Sequence, residues 1–215
     1  MNSLNVSEIF VSIQGESSQI GRPCVFVRLA GCNIRCAYCD SEYAARGKGE
    51  PMTMGQIVEQ VKAFGVDLVE VTGGEPLIQP GCVALVKKLA AEGFEVMVET
   101  NGTVDIGEVN TVASCVVDIK TPGSKSEGTF NEVNFKRLTT ADEVKFVVTS
   151  RDDFNWAVAI CRERRLCNQT AVLFSAAWGM VEMEDLAMWL IESKLAARLN
   201  PQLHKIIWGK DRRGV

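Results

Sequence analysis

The chain has 215 residues, of which 47% are hydrophobic and 23% are charged, and its formal net charge at pH 7 is −4. This is an ordinary balance for a globular protein that buries a sizeable core, and we expect a single domain over residues 1–215. The acidic balance argues against binding of nucleic acid, which needs a concentrated basic face, and no apolar segment is long enough to span a bilayer. A small-molecule substrate fits these properties better.

The predicted elements alternate short apolar strands with helices. Strands are predicted over 24–31, 68–74, 95–102, 114–122, 142–150 and 170–176. Helices are predicted over 53–65, 81–93, 152–166 and 183–193, and Thr53 with Gln56 predicts a capping box at the start of the first helix. The alternation indicates right-handed βαβ units on a mainly parallel sheet. Six strands are fewer than the eight that close a TIM barrel, so we expect an α/β fold of the partial, TIM-like barrel type.

Unusual residues follow the predicted strands at their carboxyl ends, where parallel sheets and barrels bind ligands. They are Gly31 and Cys32, Gly73 to Pro76, Thr100 to Gly102, Lys120 to Pro122, and Ser175. We therefore expect one functional site at one end of the sheet.

Three of the eight cysteines, Cys32, Cys36 and Cys39, lie close together in the spacing C-x3-C-x2-C. A structural zinc site needs four Cys or His ligands, yet the only histidine is His204 and there is no second C-x2-C pair. A redox pair would leave Cys32 unexplained. Three thiolates fit an iron–sulfur cubane with one iron open to an exogenous ligand.

The other five cysteines stand apart in apolar stretches, and we expect them to be free and packed as small hydrophobic residues. They are Cys24, Cys82, Cys115, Cys161 and Cys167. Because the N-terminal stretch MNSLNVSEIF lacks the features of a signal peptide, we expect a reducing, cytoplasmic location.

The cysteine spacing after the first predicted strand, with Tyr38 before the last cysteine, resembles the radical S-adenosylmethionine superfamily. The segment TGGEP (72–76), after the next strand, resembles the superfamily's GGEP segment, and its glycines let a ligand approach the backbone. The resemblance implies a [4Fe–4S] cluster on Cys32, Cys36 and Cys39 whose open iron binds S-adenosylmethionine. The two cofactors together generate a 5′-deoxyadenosyl radical. The resemblance also implies contacts to the cofactors from Tyr38, Cys39, Asp40, Gly74, Glu75, Lys120, Thr121, Pro122, Phe174, Ser175, Ala176 and Ala177. We add Asn101 to these contacts, although the Asn-Gly pair that it begins is equally typical of a turn.

The longer segment EIFVSIQGESSQIGRPCVFVRLAGCNIRCAYCD (8–40) resembles the 7-carboxy-7-deazaguanine synthases, a family of queuosine and 7-deazapurine biosynthesis within that superfamily. VTGGEPL, VETNGT, VDIKTP, EVKFVV and QLHKIIWGKDRRGV extend the resemblance over almost the whole chain. It implies a lyase that converts 6-carboxy-5,6,7,8-tetrahydropterin into 7-carboxy-7-deazaguanine with release of ammonia. The implied steps are hydrogen abstraction at C6 and ring contraction, with Mg²⁺ assisting. A homodimer and a flavodoxin or ferredoxin as electron donor are further implications.

Arg28 lies in an apolar strand, on the face of Cys24 and Phe26 by the period of two. A buried guanidinium needs an anionic partner, which is either the substrate carboxylate or an internal carboxylate. The resemblance also implies that the C-terminal tail folds over the site. The substrate contacts that it implies are Ile13, Gln14, Gly15, Glu16, Arg28, Thr72, His204 and Val215.

Ser41 stands where the family usually has a threonine whose hydroxyl binds magnesium. The serine keeps the hydroxyl and lacks the methyl group that restricts χ1. Because magnesium takes few protein ligands and borrows substrate oxygens, one hydroxyl is enough for a role at such a site.

Two alternatives stay open at this point. A glycyl-radical-enzyme activase has the same cysteine spacing, although the QGE loop, Arg28 and the C-terminal segment argue against it. A non-catalytic iron–sulfur or zinc module is the other, and the GGEP segment argues against that one.

Overall fold

Strands make one mostly parallel sheet in the computed structural model, which describes residues 3–215. The nine strands of this part of the chain are β1 (Ser3–Ile13), β2 (Pro23–Leu29), β3 (Glu50–Thr53), β4 (Leu68–Gly73), β5 (Glu95–Thr100), β6 (Ser114–Asp118), β7 (Glu143–Val148), β8 (Ala171–Ala176) and β9 (Arg198–Leu199). Their order across the sheet is β3-β1-β2-β4-β5-β6-β7-β8-β9. β1 is antiparallel to β2 and to β3, and every neighbouring pair from β2 to β9 is parallel.

Helices connect the strands at several points of this sheet. They are α1 (Glu42–Arg46), α2 (Met54–Ala63), α3 (Cys82–Ala91), α4 (Arg151–Arg164), α5 (Met183–Ser193) and α6 (Leu203–Trp208). The capping box at the start of α2 is confirmed: the Gln56 N–H donates to Thr53 Oγ1 at 3.3 Å, and the Thr53 N–H donates to Gln56 Oε1 at 2.8 Å. In α4, the Ser150 hydroxyl accepts from the Asp153 N–H at 3.2 Å and fixes the first turn.

The predicted α/β fold of the partial-barrel type is confirmed, and all six predicted strands are present. The expected number of strands is too low, because β1, β3 and β9 were not predicted. β3 contains Pro51 and β9 has only two residues, so neither carries a periodic signal. The predicted strands 95–102 and 114–122 also end early, at Thr100 and Asp118, because polar loops follow them.

The face of the sheet that packs against the helices is predominantly apolar. Alternate residues of β2, β4, β5 and β6 form one cluster with α2 and α3, and residues of β7 and β8 form a second cluster with α4 and α5. Cys82, Cys115 and Cys161 are buried in these clusters, and Cys167 packs against the second one. Cys24 is buried on the other face of the sheet, so these isolated cysteines occupy apolar packing positions, as expected.

The opposite face, which we call the inner face, has two layers. Near the amino ends of the strands it carries a small apolar cluster of Cys24, Phe26, Leu68, Met97 and Val116. Further along the strands of this face lie charged side chains, which on β2, β4, β5 and β6 follow a residue of the cluster by two positions because side chains of a strand alternate with a period of two. These side chains are Arg28 on β2, Glu70 on β4, Glu99 on β5, Asp118 on β6 and Lys145 on β7.

Candidate active site

The carboxyl ends of the strands border a cavity of about 690 Å³. Residues from the ends of β4, β5, β6 and β7 line it, together with the loop after β1 and the loop after β2. The structure thereby brings together most of the predicted site residues, namely Ile13, Gln14, Gly15, Glu16, Arg28, Cys32, Cys36, Tyr38, Cys39, Asp40, Ser41, Thr72, Gly74, Asn101, Lys120, Ala177, His204 and Val215. Their convergence at one end of the sheet agrees with the expectation from the strand ends.

The three clustered cysteines lie on the loop between β2 and α1. Cys32 and Cys36 are partly buried and Cys39 is exposed, in contrast to the cysteines of the core. The loop is held by the Ala37 N–H, which donates to Ser124 O at 2.8 Å, and by the Glu75 N–H, which donates to Gly31 O at 2.9 Å. Backbone hydrogen bonds of the neighbouring βα loops thus fix the segment that carries the thiols.

Gly74 allows the loop after β4 to approach the cysteine loop. A Cβ at this position would lie 2.4 Å from Gly31 O and 2.7 Å from Cys32 Cβ, which is too close for any side chain. Gly73 has a φ of +151°, and a Cβ at this position would lie 2.1 Å from Leu29 O. Gly74 therefore keeps the GGEP segment in direct contact with the cysteine loop, and Gly73 keeps it against the end of β2.

The cysteine loop fits an iron–sulfur cluster better than a single metal ion. Among residues 3–215, no three His, Cys, Asp or Glu side chains are arranged so that they could hold one ion. A cubane binds each cysteine at a different iron atom, so its thiolates stand further apart than ligands that share one zinc ion. Cys32, Cys36 and Cys39 all line the cavity.

One buried acceptor at the cavity has no partner. Within residues 3–215, Asp118 Oδ1 makes no hydrogen bond, although the side chain is buried. Its other oxygen, Oδ2, lies 2.8 Å from Lys120 Nζ and 3.8 Å from Lys145 Nζ. An unpaired buried acceptor is costly, and a hydrogen-bond donor on a bound molecule would satisfy it.

Lys145 is the centre of a buried cluster of charges on the inner face. Its ammonium group lies 2.9 Å from Glu16 Oε2 and also donates to Glu99 Oε1. Burial lowers the pKa of Lys145, but the carboxylates of Glu16 and Glu99 outweigh burial and raise that pKa well above its usual value. Burial alone would raise the pKa of Glu99, and the charge of Lys145 overcomes this and holds it low. Both groups are therefore charged at neutral pH.

Glu70 is the carboxyl group of the inner face that favours its neutral form. Burial, and then the negative charge of Glu99, raise the pKa of Glu70 well above its usual range. The Gln14 amide donates to Glu70 Oε2 and lies 3.6 Å from Met97 Sδ, so the predicted substrate loop is fastened to β4. The position of Gln14 thus depends on a carboxyl group that is sensitive to pH.

Arg28 has the internal partner that was one of its two predicted alternatives. Its Nε donates to Glu8 Oε1 at 2.9 Å, and the Tyr43 hydroxyl donates to the same oxygen at 2.5 Å. Glu8 lies on β1, which the sequence did not predict as a strand. Arg28 also lines the cavity, so a role in binding the substrate stays a prediction beside this ion pair.

Helix α6 and the C-terminal tail form one wall of the cavity. The Leu203 N–H donates to Gly15 O at 2.8 Å, and a Cβ on Gly15 would lie 2.1 Å from His204 Nδ1. Gly15 therefore permits close packing of α6 on the substrate loop. Burial lowers the pKa of His204, which favours the neutral imidazole. Val215 also lines the cavity.

A few predicted cofactor contacts do not line the cavity; they are Glu75, Thr121, Pro122, Phe174, Ser175 and Ala176. Glu75 is buried and accepts from the Leu77 N–H at 2.9 Å and the Asn101 N–H at 2.6 Å, so it stabilises the loop after β4. Phe174 is fully buried in the core because the period of two places it on the face that packs against helices. The remaining side chains are engaged elsewhere or exposed, and a contact through their main chain stays a prediction.

Sequence reasoning missed several charged or polar residues of the cavity: Glu70, Glu99, Asp118, Lys145, Gln202 and Lys205. A signal was present for the four strand residues, since each is a charged residue beside apolar residues of a predicted strand, as Arg28 is. The same argument from the cost of a buried charge applies to all of them. Gln202 and Lys205 carry no such signal, because they belong to a short segment near the end of the chain.

Comparison with known proteins agrees with this geometry. Residues 27–119 match the family model described as the Radical SAM superfamily. The 7-carboxy-7-deazaguanine synthase of Koribacter versatilis is 40% identical over 227 residues, which cover 99% of this chain and 100% of that protein. The enzyme of the same name from Chlorobaculum tepidum is 40% identical over 215 residues, which cover 99% of this chain and 97% of that protein.

Solved structures show the same fold. The crystal structure of QueE from Escherichia coli has a TM-score of 0.76 and 22% identity, covering 94% of this chain and 95% of that chain. The crystal structure of Streptococcus suis SuiB bound to S-adenosylmethionine has a TM-score of 0.56 and 17% identity, covering 80% of this chain and 47% of that one.

Among residues 3–215, no helix combines the length and apolar character that crossing a membrane requires.

Proposed function

Because the chain belongs to the 7-carboxy-7-deazaguanine synthase family of radical S-adenosylmethionine enzymes, we propose that its cavity binds the cluster, the cofactor and the pterin together. The protein is a lyase that converts 6-carboxy-5,6,7,8-tetrahydropterin into 7-carboxy-7-deazaguanine and ammonia. The observation that carries the proposal is the meeting of the cysteine loop and the charged inner face in one cavity.

Cys32, Cys36 and Cys39 would hold a [4Fe–4S] cluster, and the GGEP segment would bring its backbone close to S-adenosylmethionine at the open iron. When bound, the two cofactors supply the radical that abstracts hydrogen from C6 of the substrate. The residues of the chain would position the two cofactors. Gly74 holds the loop after β4 against the cysteine loop, and Gly73 holds it against the end of β2, while Tyr38 and Lys120 line the same cavity.

The inner face supplies groups of both signs for the pterin. Arg28 offers a guanidinium that a substrate carboxylate can share with Glu8. Glu99 and the free oxygen of Asp118 are acceptors for the ring N–H groups of the pterin. Lys145 keeps Glu99 ionised and holds Glu16 and Glu99 in place, so that they need not reorganise when substrate binds.

Magnesium would bind at Ser41. The Ser41 hydroxyl lines the cavity and lies 4.0 Å from Cys39 Sγ, beside the thiols of the cluster site. No set of three carboxylate, thiol or imidazole groups within residues 3–215 offers a complete ion site. Substrate oxygens and water would therefore supply the other ligands, as is usual for this ion.

We extend the proposal to the setting of the enzyme. Residues 1–215 would act as one domain whose C-terminal tail closes over the site, supported by the position of Val215 at the cavity. A homodimer in the cytoplasm that receives electrons from a flavodoxin or ferredoxin is the state that the family resemblance favours.

The test is an anaerobic assay. The protein is reconstituted with iron and sulfide, reduced, and mixed with S-adenosylmethionine and 6-carboxy-5,6,7,8-tetrahydropterin. We expect 7-carboxy-7-deazaguanine and ammonia in equal amounts. Cleavage of S-adenosylmethionine only in the presence of a protein substrate would support a glycyl-radical-enzyme activase instead. Absence of any cleavage would support a non-catalytic metal module.

A further inference from the structure

A chain of side-chain contacts joins the cysteine loop to the predicted substrate loop through helix α6. Lys205 Nζ lies 2.6 Å from Asp40 Oδ2 and donates to Gln202 Oε1 at 2.9 Å. The amide of Gln202 donates at its other end to Glu16 Oε1, also at 2.9 Å. The chain of contacts therefore runs from Asp40 through Lys205 and Gln202 to Glu16.

The contacts continue on the inner face of the sheet. The second oxygen of Glu16 accepts from Lys145 Nζ at 2.9 Å, and Lys145 also donates to Glu99. Glu99 Oε2 in turn accepts from the Thr72 hydroxyl at 3.2 Å. One end of the path is thus next to Cys39, and the other end lies among the residues that would hold the pterin.

Lys205 is a buried link of this path. Only 7% of its surface is exposed, whereas 55% of the Asp40 side chain is exposed to the open cavity. Among residues 3–215, Lys205 is also the only side-chain hydrogen-bond partner of Asp40. A buried ammonium group held by two acceptors fixes the carboxylate beside Cys39 far better than an exposed ion pair would.

Helix α6 makes this link dependent on the substrate loop. Gln202 precedes α6, and the Leu203 N–H donates to Gly15 O at 2.8 Å, so the start of the helix rests on the loop that carries Glu16. A pterin that orders this loop would order α6, and α6 would then hold Asp40 through Lys205.

We propose that Lys205 is a positioning residue that couples the binding of substrate to the binding of S-adenosylmethionine. This inference rests on the proposed function, since it assumes that both molecules bind in the cavity. Coupling of two sites is reciprocal, so each ligand increases the affinity for the other by the same factor. The size of this change in affinity depends on Lys205 because Lys205 joins the two ends of the contact path.

The experiment measures the dissociation constant of S-adenosylmethionine by anaerobic calorimetry on cluster-loaded protein, with and without 6-carboxy-5,6,7,8-tetrahydropterin. No reductant is present, so no turnover occurs. We expect the pterin to tighten binding about 10-fold in the wild-type protein and less than about 2-fold in Lys205→Met. Lys205→Arg keeps the charge and the hydrogen bonds to Asp40, and we expect it to restore most of the coupling.

Two further variants separate coupling from loss of structure. Gln202→Met breaks the path on the side of Glu16 and leaves the Asp40–Lys205 pair, and we expect it to reduce the coupling as well. Lys87→Met removes the exposed partner of Glu108, a lysine–carboxylate pair remote from the cavity, and should keep the wild-type ratio. The iron and sulfide content of each variant shows whether the cluster is intact.

The outcomes distinguish the two claims. If the wild-type protein binds neither molecule, the proposed function fails and this inference fails with it. If the wild-type protein binds both molecules and Lys205→Met, with its cluster intact, keeps the full ratio of dissociation constants, the role of Lys205 is contradicted while the proposed function stands. Two ligands that bind the wild-type protein independently would likewise overturn the coupling.

Discussion

The two faces of the sheet differ sharply although they are built from the same strands. On β7, Val144, Phe146 and Val148 pack into the apolar cluster under α4 and α5, whereas Lys145 between them joins the charged cavity. β4 shows the same division, with Val69 and Val71 on one face and Glu70 on the other. One face of each strand thus contributes to stability and the other to binding.

The charged layer depends on the apolar layers around it. Below the charges, Phe26, Leu68 and Met97 fill the inner face and exclude water from the floor of the cavity. In this setting a charge is costly unless it is paired, and Lys145, Glu16 and Glu99 are paired. Substitutions on the two faces should therefore have different consequences for binding, even where they cost similar stability.

The largest effect is expected from the cysteines, which show the same contrast between site and core. Cys36→Ala should lose the cluster and all activity, because a cubane held by two thiolates is not retained. Cys82→Ala removes a buried cysteine of the apolar face and should keep both. Iron content and product formation measure the difference. A Cys36→Ala protein with full iron content and activity would show that the loop does not hold the cluster.

Neighbouring residues on β7 give the next test. Lys145→Met leaves the carboxylates of Glu16 and Glu99 unpaired, and Phe146→Ala leaves a void in the core. Each should lower the free energy of unfolding by about 3–5 kcal/mol. Only Lys145→Met should also weaken binding of the pterin, by 10-fold or more, that is by at least about 1.4 kcal/mol. Denaturant unfolding and pterin titration of both variants measure the two quantities, and equal pterin affinities would remove the distinction between the faces.

A smaller effect is expected from the pH dependence of Glu70. A carboxyl group whose pKa is raised by folding keeps its proton where the unfolded chain has lost it, so its contribution to the free energy of unfolding falls as pH rises. Glu70→Gln removes this loss. Relative to wild type, the variant should gain about 1–2 kcal/mol between about pH 5 and about pH 8, measured by anaerobic unfolding.

An exposed carboxylate provides the control for this prediction. The side chain of Glu108 is 77% exposed, so Glu108→Gln should change the free energy of unfolding by a similar amount at both pH values. If Glu70→Gln behaves like Glu108→Gln, the Glu70 carboxyl group is ionised in the folded protein and the raised pKa is wrong.

The smallest effect is expected at Ser41. Ser41→Thr keeps the hydroxyl and should change the magnesium concentration for half-maximal activity by no more than about 2-fold, whereas Ser41→Ala should raise it about 10-fold. Activity measured against magnesium concentration in the three proteins tests this. Equal magnesium dependence would place the ion elsewhere.

The parts of the molecule that could be predicted are those whose signal is local. Thr53 and Gln56 form a capping box because they are three residues apart, and the cluster cysteines stand together in one loop. Glu8 as the partner of Arg28 could not be predicted, because it comes from the unpredicted strand β1. The Lys205–Asp40 pair joins residues 165 positions apart, and only the folded chain brings them together.

The most direct test of the account asks whether the pterin and the cofactor meet in this one cavity. The substrate is labelled with deuterium at C6, and S-adenosylmethionine and 5′-deoxyadenosine are recovered after turnover and analysed by mass spectrometry. We expect deuterium in the recovered adenosyl group, because hydrogen would pass directly between the two bound molecules. Product that forms while the label appears only in water would contradict it.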